Sequence, residues 1–198
     1  MVKIKICGVT RMQDIKVINE EKPDFIGFVF AKSKREITPD RAAELRNTLR
    51  PEITPIGVFV NEKIELIYSL VRGGVIKMIQ LHGAEDNDYI RALKVMTDTP
   101  VIKAVPIERR GDAQKWDDSP ADYLLLDNKG GGTGICFNWG LIGRVSKLFF
   151  LAGGINPQNV KDAVTQTSPF AIDASSGVET DGLKDPDKIR ELIRNVRV

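Results

Sequence analysis

The sequence has little histidine and little cysteine, and both shortages limit the chemistry available to the chain. It contains a single histidine, His82, so a metal site built from several histidines is excluded. Its two cysteines, Cys7 and Cys136, are too few for a disulfide framework and form no CxxC pair. We therefore expect a protein of a reducing cytoplasm, with free thiols and without a bound metal.

The sequence also lacks a strong charge of either sign and any long apolar run. Its 29 basic and 27 acidic residues give a net charge of +2, which is too small to indicate binding to nucleic acid. The apolar runs are of strand length and no signal segment opens the chain, so we expect no membrane association. With 198 residues, 42% of them hydrophobic, the chain is expected to form one domain over residues 1–198.

A dinucleotide fingerprint of the form GxGxxG is missing after the first strand-like run, which argues against an open doubly wound sheet. Instead, eight short apolar runs recur at intervals close to the length of one βα unit. They occupy residues 3–7, 25–30, 55–60, 77–81, 101–105, 123–127, 148–152 and 170–174. This repetition predicts an α/β fold, a (β/α)8 TIM barrel.

Helical patterns lie between these runs, and three of them open with a capping residue followed by proline. The predicted helices cover residues 39–49, 62–72, 86–96, 157–165 and 185–196. Thr38-Pro39, Asn156-Pro157 and Asp185-Pro186 are the three capped openings.

Glycine and serine follow the last two predicted strands, at the end where a barrel carries its functional groups. The residues are Gly153, Gly154, Ser175, Ser176 and Gly177. Barrels commonly bind a phosphate at these two loops through main-chain N–H groups, which glycine allows to approach the anion closely. Glycines that only turn the chain are the alternative, but the position of both loops favours a phosphate site.

Cys7 and Asp127 end the first and sixth predicted strands and are the candidate general base and acid. A free cysteine is usually a small buried group, and its ordinary pKa of about 8.5 leaves it protonated at neutral pH. Its position at the mouth of the barrel nevertheless favours a chemical role. Asp127 could be a structural acceptor, but a glycine loop over residues 128–134 follows it and is suited to folding over a ligand. The two side chains are expected to face each other across a bound substrate.

Two further polar residues follow predicted strands, and a third lies inside one. Arg35 belongs either to a solvated basic turn or to a guanidinium that holds a substrate carboxylate. His82 is expected to line the site, although a role as acid or base stays open. Lys5 shares the inward face with Cys7, and we expect it to pair with Asp173 because an unpaired buried charge is costly.

Several of these segments resemble those of phosphoribosylanthranilate isomerases. The matching motifs run in order from the first strand to the eighth. They are KICGVT at 5–10, GFVF at 27–30, GVFVN at 57–61, QLHG at 80–83, GGTG at 131–134, AGGI at 152–155 and DASSGVE at 173–179. The combination of KICG, QLHG and SSGVE makes the resemblance specific.

The resemblance implies a cofactor-free Amadori rearrangement in tryptophan biosynthesis. In it, N-(5′-phosphoribosyl)anthranilate becomes 1-(o-carboxyphenylamino)-1-deoxyribulose 5-phosphate. It also implies Cys7 as general base, Asp127 as general acid and Arg35 as the ligand of the anthranilate carboxylate. The phosphate would be held by main-chain amides around Gly153, Gly154, Ser176 and Gly177, with Ser175 close by.

Other interpretations remain open. A histidine-pathway aldose–ketose isomerase would share the phosphate loops but normally uses two aspartates, and Cys7 argues against it. Indole-glycerol-phosphate synthase would need a lysine acid and a longer N-terminus. A non-catalytic phosphosugar-binding barrel would keep the pocket without turnover, and the chain is compatible with a monomer or a homodimer.

Overall fold

A computed structural model describes residues 1–128 and 136–197 and shows a closed barrel of eight parallel strands. Each strand pairs with the next, and the eighth pairs with the first. The strands are β1 Lys3–Cys7, β2 Phe25–Val29, β3 Thr54–Phe59, β4 Met78–Leu81, β5 Val101–Pro106, β6 Tyr123–Asp127, β7 Phe149–Leu151 and β8 Ala171–Ala174. The predicted (β/α)8 barrel is confirmed, and every predicted strand end lies within one residue of the observed end.

Within the part of the chain that the structure describes, six α-helices surround the strands. They are α1 Met12–Glu21, α2 Pro39–Thr48, α3 Ile64–Arg72, α4 Asn87–Met96, α5 Val160–Thr167 and α6 Pro186–Arg197. The described residues after β5 and β6 form short 3-10 turns instead, at Gln114–Trp116 and Trp139–Leu141. After β8, a 3-10 turn at Ser176–Val178 leads into a small hairpin of β9 Glu179–Thr180 and β10 Leu183–Lys184. Among the described residues, no helix is long and apolar enough to cross a membrane.

Two of the three predicted helix openings are confirmed, and one is wrong. The Thr38 hydroxyl accepts a hydrogen bond from the N–H of Arg41, and Asp185 caps α6. Asn156, however, caps a turn rather than a helix. Its side-chain oxygen accepts from the N–H groups of Gln158 and Asn159, and α5 begins only at Val160. The side chain that resembled a helix cap therefore closes a local turn first.

Apolar packing fills two layers, one outside the strands and one inside the barrel. The outer layer joins strands to helices and includes Ile4 and Ile6 of β1. The inner layer includes Phe25 and Phe150, whose ring centroids lie 5.4 Å apart. Phe25 begins β2, so this aromatic group closes the N-terminal end of the barrel. The C-terminal end is left for polar side chains.

Toward its C-terminal end, the barrel interior contains charged side chains that form ion pairs. Lys5 is fully buried, and its ammonium donates to Asp173 Oδ2 at 2.8 Å, which confirms the predicted ion pair. Burial opposes the charge on Lys5, but Asp173 and the sulfur of Cys7 outweigh it, so the pKa of Lys5 is raised. A second buried pair joins Lys103 to Glu85 at 3.0 Å. Both pairs lie just below the loops that carry the predicted site.

Candidate active site

A cavity of about 570 Å³ opens at the C-terminal end of the barrel, within the size range of small-molecule sites. All nine residues that the sequence singled out lie in its wall. They are Cys7, Arg35, His82, Asp127, Gly153, Gly154, Ser175, Ser176 and Gly177. The strands deliver them to one place because parallel strands end at the same face of the barrel. The structure therefore brings the whole predicted set together; the role of each residue remains a prediction.

Cys7 ends β1 with a buried thiol that faces the cavity. Burial raises the pKa of this thiol, whereas the ammonium groups of Lys5 and Lys184 act in the opposite direction. The neighbouring strand makes room for the sulfur with a glycine. A Cβ on Gly27 would lie 2.6 Å from Cys7 Sγ, closer than real Cβ contacts allow. Gly27 was not predicted as a site residue, although it belongs to the GFVF motif.

Asp127 ends β6 and is almost fully buried. Its Oδ1 accepts a hydrogen bond of 2.7 Å from the N–H of Asn128, and its Oδ2 lies 3.5 Å from His82 Nε2. His82 was expected to line the cavity, and it does so in contact with the candidate acid. The predicted glycine loop at 128–134 lies outside the described residues from 129 onward.

Gln80 connects His82 to the interior charge. Its side-chain nitrogen lies 2.8 Å from His82 Nδ1, and its oxygen accepts from Lys5 at 2.8 Å. The sequence could have predicted that Gln80 lies beside His82, because residues two apart on a strand point to the same face. That rule places Gln80 and His82 together but does not reveal that Lys5 reaches Gln80 from β1.

Arg35 lies in the cavity wall but already has a carboxylate partner. Its Nε and Nη2 donate to the two oxygens of Glu179 at 2.7 and 2.8 Å, a bidentate pair. Lys184 also donates to Glu179, and to the carbonyl of Ser175 at 3.1 Å. Burial raises the pKa of Glu179, but the hydrogen bonds from Arg35 and Lys184 outweigh it and lower that pKa overall. Neither Glu179 nor Lys184 was predicted as a site residue.

The two glycine loops touch each other at the rim. A Cβ on Gly177 would lie 2.0 Å from the carbonyl oxygen of Ile155, so only glycine fits this approach. Gly153 and Gly154 both adopt positive φ values, +81° and +67°, which turn the backbone after β7. The hydroxyl of Ser175 donates to the carbonyl of Cys7 at 3.1 Å, which ties this rim to the end of β1.

No three histidine, cysteine, aspartate or glutamate side chains cluster as a metal site would require within residues 1–128 and 136–197. The expectation of chemistry without metal or cofactor stays a prediction.

Comparison with known proteins assigns the chain to a family. The sequence model described as N-(5′phosphoribosyl)anthranilate (PRA) isomerase matches residues 4–195. An N-(5′-phosphoribosyl)anthranilate isomerase from Endomicrobium trichonymphae is 43% identical over 201 residues, covering 100% of this chain and 99% of the relative. The chain belongs to the phosphoribosylanthranilate isomerase family. It is an enzyme, an isomerase of tryptophan biosynthesis.

Solved structures of phosphoribosylanthranilate isomerases share the barrel over its whole length. The Thermus thermophilus protein superposes with a TM-score of 0.90 at 32% identity, covering 99% of this chain and 98% of the other. A phosphoribosylanthranilate isomerase in complex with reduced 1-(o-carboxyphenylamino)-1-deoxyribulose 5-phosphate superposes with a TM-score of 0.88 at 37% identity, covering 100% and 99%. The Thermotoga maritima isomerase is described as dimeric. For this chain, the expectation of a monomer or a homodimer stays a prediction.

Proposed function

We propose that this chain catalyses the cofactor-free Amadori rearrangement of N-(5′-phosphoribosyl)anthranilate to 1-(o-carboxyphenylamino)-1-deoxyribulose 5-phosphate. The observation that carries the proposal is one cavity whose wall contains both Cys7 and Asp127 and whose rim carries the two glycine loops. A relative of the same fold binds a reduced form of this product, which supports the substrate class.

The first step is acid-catalysed ring opening. Asp127 donates its proton to the furanose ring oxygen as the C1′–O bond breaks, and the anthranilate nitrogen supplies the electron pair that forms the iminium ion. The near-complete burial of Asp127 keeps bulk water away from this transfer. His82 stands beside the carboxylate that the transfer leaves behind.

The second step is removal of the proton on C2′. The adjacent iminium ion makes this proton acidic, so a thiolate at Cys7 is a sufficient base. The C–H electron pair becomes the double bond of an enolamine, which then loses its hydroxyl proton and gains one at C1′ to give the ketone. The ammonium groups of Lys5 and Lys184 favour the thiolate against the effect of burial. Cys7 and Asp127 recover their starting protonation states through solvent.

Other residues of the cavity wall bind the substrate. Arg35 has five N–H donors and turns only Nε and Nη2 toward Glu179, so its outer edge can hold the anthranilate carboxylate. In this arrangement Glu179 and Lys184 fix the guanidinium rather than compete for it. The amides around Gly153, Gly154, Ser176 and Gly177 hold the phosphate.

A fluorescence assay tests the proposal directly. Phosphoribosyl anthranilate is formed in situ, and its emission changes continuously as it rearranges, whereas a non-catalytic binder gives only a saturable shift. Cys7→Ala and Asp127→Ala should each lower kcat by at least about 100-fold while phosphate-ligand binding stays within a few-fold. Continued turnover in either variant, or a saturable signal from the unmodified chain, would contradict the proposal.

A further inference from the structure

A run of polar contacts crosses the barrel interior from β1 to β6. Lys5 donates to Gln80 Oε1 at 2.8 Å, Gln80 Nε2 lies 2.8 Å from His82 Nδ1, and His82 Nε2 lies 3.5 Å from Asp127 Oδ2. The run begins beside one candidate reacting group, Cys7, and ends on the other.

The direction of each hydrogen bond follows from the chemistry of the first residue. The ammonium of Lys5 has donors only, so the oxygen of the Gln80 amide must face it. The amide nitrogen, which also has donors only, therefore faces His82 Nδ1, and Nδ1 must be the bare, accepting nitrogen. The single hydrogen of the neutral ring is then on Nε2, the nitrogen that lies 3.5 Å from Asp127 Oδ2.

Burial prevents the amide of Gln80 from turning over. Gln80 is 1% exposed and Lys5 is fully buried, and Lys5 is held from its other side by Asp173. A reversed amide would place its N–H hydrogens against the ammonium and leave that donor unpaired inside the barrel, which is costly. The ion pair of Lys5 therefore fixes the amide, and the amide fixes the imidazole.

We propose that Gln80 is a positioning residue of the reaction, which keeps His82 in the Nε2–H tautomer so that the ring donates to Asp127. The proposal rests on the proposed function, in which Asp127 is the acid. In the other tautomer a bare Nε2 would face Asp127 and accept its proton, diverting it from the ring oxygen of the substrate. The Nε2–H tautomer instead leaves that proton for the substrate and stabilises the carboxylate that forms.

Nitrogen-15 NMR of the imidazole is the decisive measurement, because His82 is the only histidine in the chain. The unmodified protein at neutral pH should show Nε2 protonated and Nδ1 bare. Gln80→Glu keeps the shape of the side chain but replaces the donor with an acceptor, so it should place a proton on Nδ1. Its kcat should fall by about 100-fold with KM within about twofold, because Arg35 and the two glycine loops, which are proposed to hold the substrate, keep their places in the cavity wall.

Gln166→Glu is the matched control, since it makes the same charge change at an exposed position on α5. It should leave both the tautomer and kcat unchanged. If Gln80→Glu does not fold, Gln80→Met removes the donor without adding charge and should give a mixture of tautomers with a smaller loss of kcat.

Two results would overturn the proposal: a proton on Nδ1 alone in the unmodified protein, or a changed tautomer in the Gln80 variants with unchanged kcat. The NMR result does not depend on turnover. An inactive unmodified chain with the expected tautomer would therefore count against the proposed function and leave the hydrogen-bond assignment standing.

Discussion

At Cys7, burial and charge act on the same thiol in opposite directions. Burial favours the neutral thiol, and the ammonium groups of Lys5 and Lys184 favour the thiolate. The position of the sulfur is set by a third residue, because Gly27 on the next strand has no side chain to displace it. The reactivity proposed for this residue therefore depends on neighbours from β1, β2 and the β9–β10 hairpin.

Gly27→Ala should misplace the thiol. The new methyl would lie 2.6 Å from Cys7 Sγ in a wall made of two paired strands, so the sulfur must move. A displacement of about 1 Å at a reacting group can cost about 100-fold, and we expect kcat per folded molecule to fall by that order. Overpacking should also lower the free energy of unfolding by about 1–3 kcal/mol.

Gly57→Ala separates these two effects. Its methyl would meet Phe59 and Ile76 at 2.7–2.8 Å, in the outer core and away from the thiol. A comparable loss of stability with kcat near that of the unmodified protein is expected. Equal losses of kcat in the two variants would show that general strain, not the position of Cys7, limits turnover. Denaturant unfolding and steady-state kinetics measure both quantities.

The sequence could predict those residues of the candidate site that lie at the ends of strands. Cys7 and Asp127 each end an apolar run, and barrel geometry directs both to one cavity. The role of Gln80 could not be predicted in this way. It depends on a lysine from a strand 75 residues earlier, and no local pattern encodes that distance.

Among the elements, the β9–β10 hairpin after β8 has the clearest structural role. Glu179 of β9 accepts from Arg35 after β2 and from Lys184 of β10, so one carboxylate joins three parts of the rim. In the sequence, Glu179 is the last residue of the DASSGVE motif, and no role could be predicted for it. The structure supplies that reason, which is neutralisation of two basic side chains beside the cavity.

Glu179→Gln should destabilise the protein most at neutral pH. The pKa of Glu179 is lower in the folded state than its unfolded value, which is near 4.5. Its contribution to the free energy of unfolding is therefore fully present above that unfolded pKa, and it is lost as the pH falls through the folded pKa. Because the variant leaves the buried ammonium of Lys184 without its compensating negative charge, we expect a loss of about 3–5 kcal/mol at pH 7. The difference from the unmodified protein should shrink between about pH 5 and pH 3.

Denaturant unfolding across this pH range checks the expectation, with Glu191→Gln as the control at an exposed carboxyl of α6. The control should show little change at any pH. A Glu179→Gln difference that stays constant from pH 7 to pH 3 would show that the carboxylate's charge contributes nothing to the stability of the hairpin.

Helix starts illustrate why element boundaries are only partly predictable. Thr38 and Asp185 each begin a helix as their capping chemistry predicts. Asn156 has the same chemistry and the same following proline, yet it caps a turn, and α5 starts at Val160. The residue before Asn156, Ile155, packs its carbonyl against Gly177, so a contact between the two rim loops lies where the sequence predicted only a helix start.

In the whole molecule, the residues that stabilise the barrel by packing and the residues of the candidate site lie at opposite ends of the barrel axis. Aromatic packing closes the N-terminal end, and paired charges and the cavity occupy the other. Eightfold repetition made this architecture predictable, because each βα unit repeats one pattern. Contacts across the barrel, such as Lys5 to Gln80, arise only when the sheet closes and could not be predicted.

The central claim is that Cys7 removes the proton on C2′ of the substrate after Asp127 has opened the ring. Single-turnover kinetics with substrate deuterated at C2′ test it most directly. We expect a slower rearrangement than with hydrogen, loss of deuterium to the thiol and then to solvent, and no exchange in Cys7→Ala. Deuterium fully retained in the product, or removed at the same rate by Cys7→Ala, would contradict it.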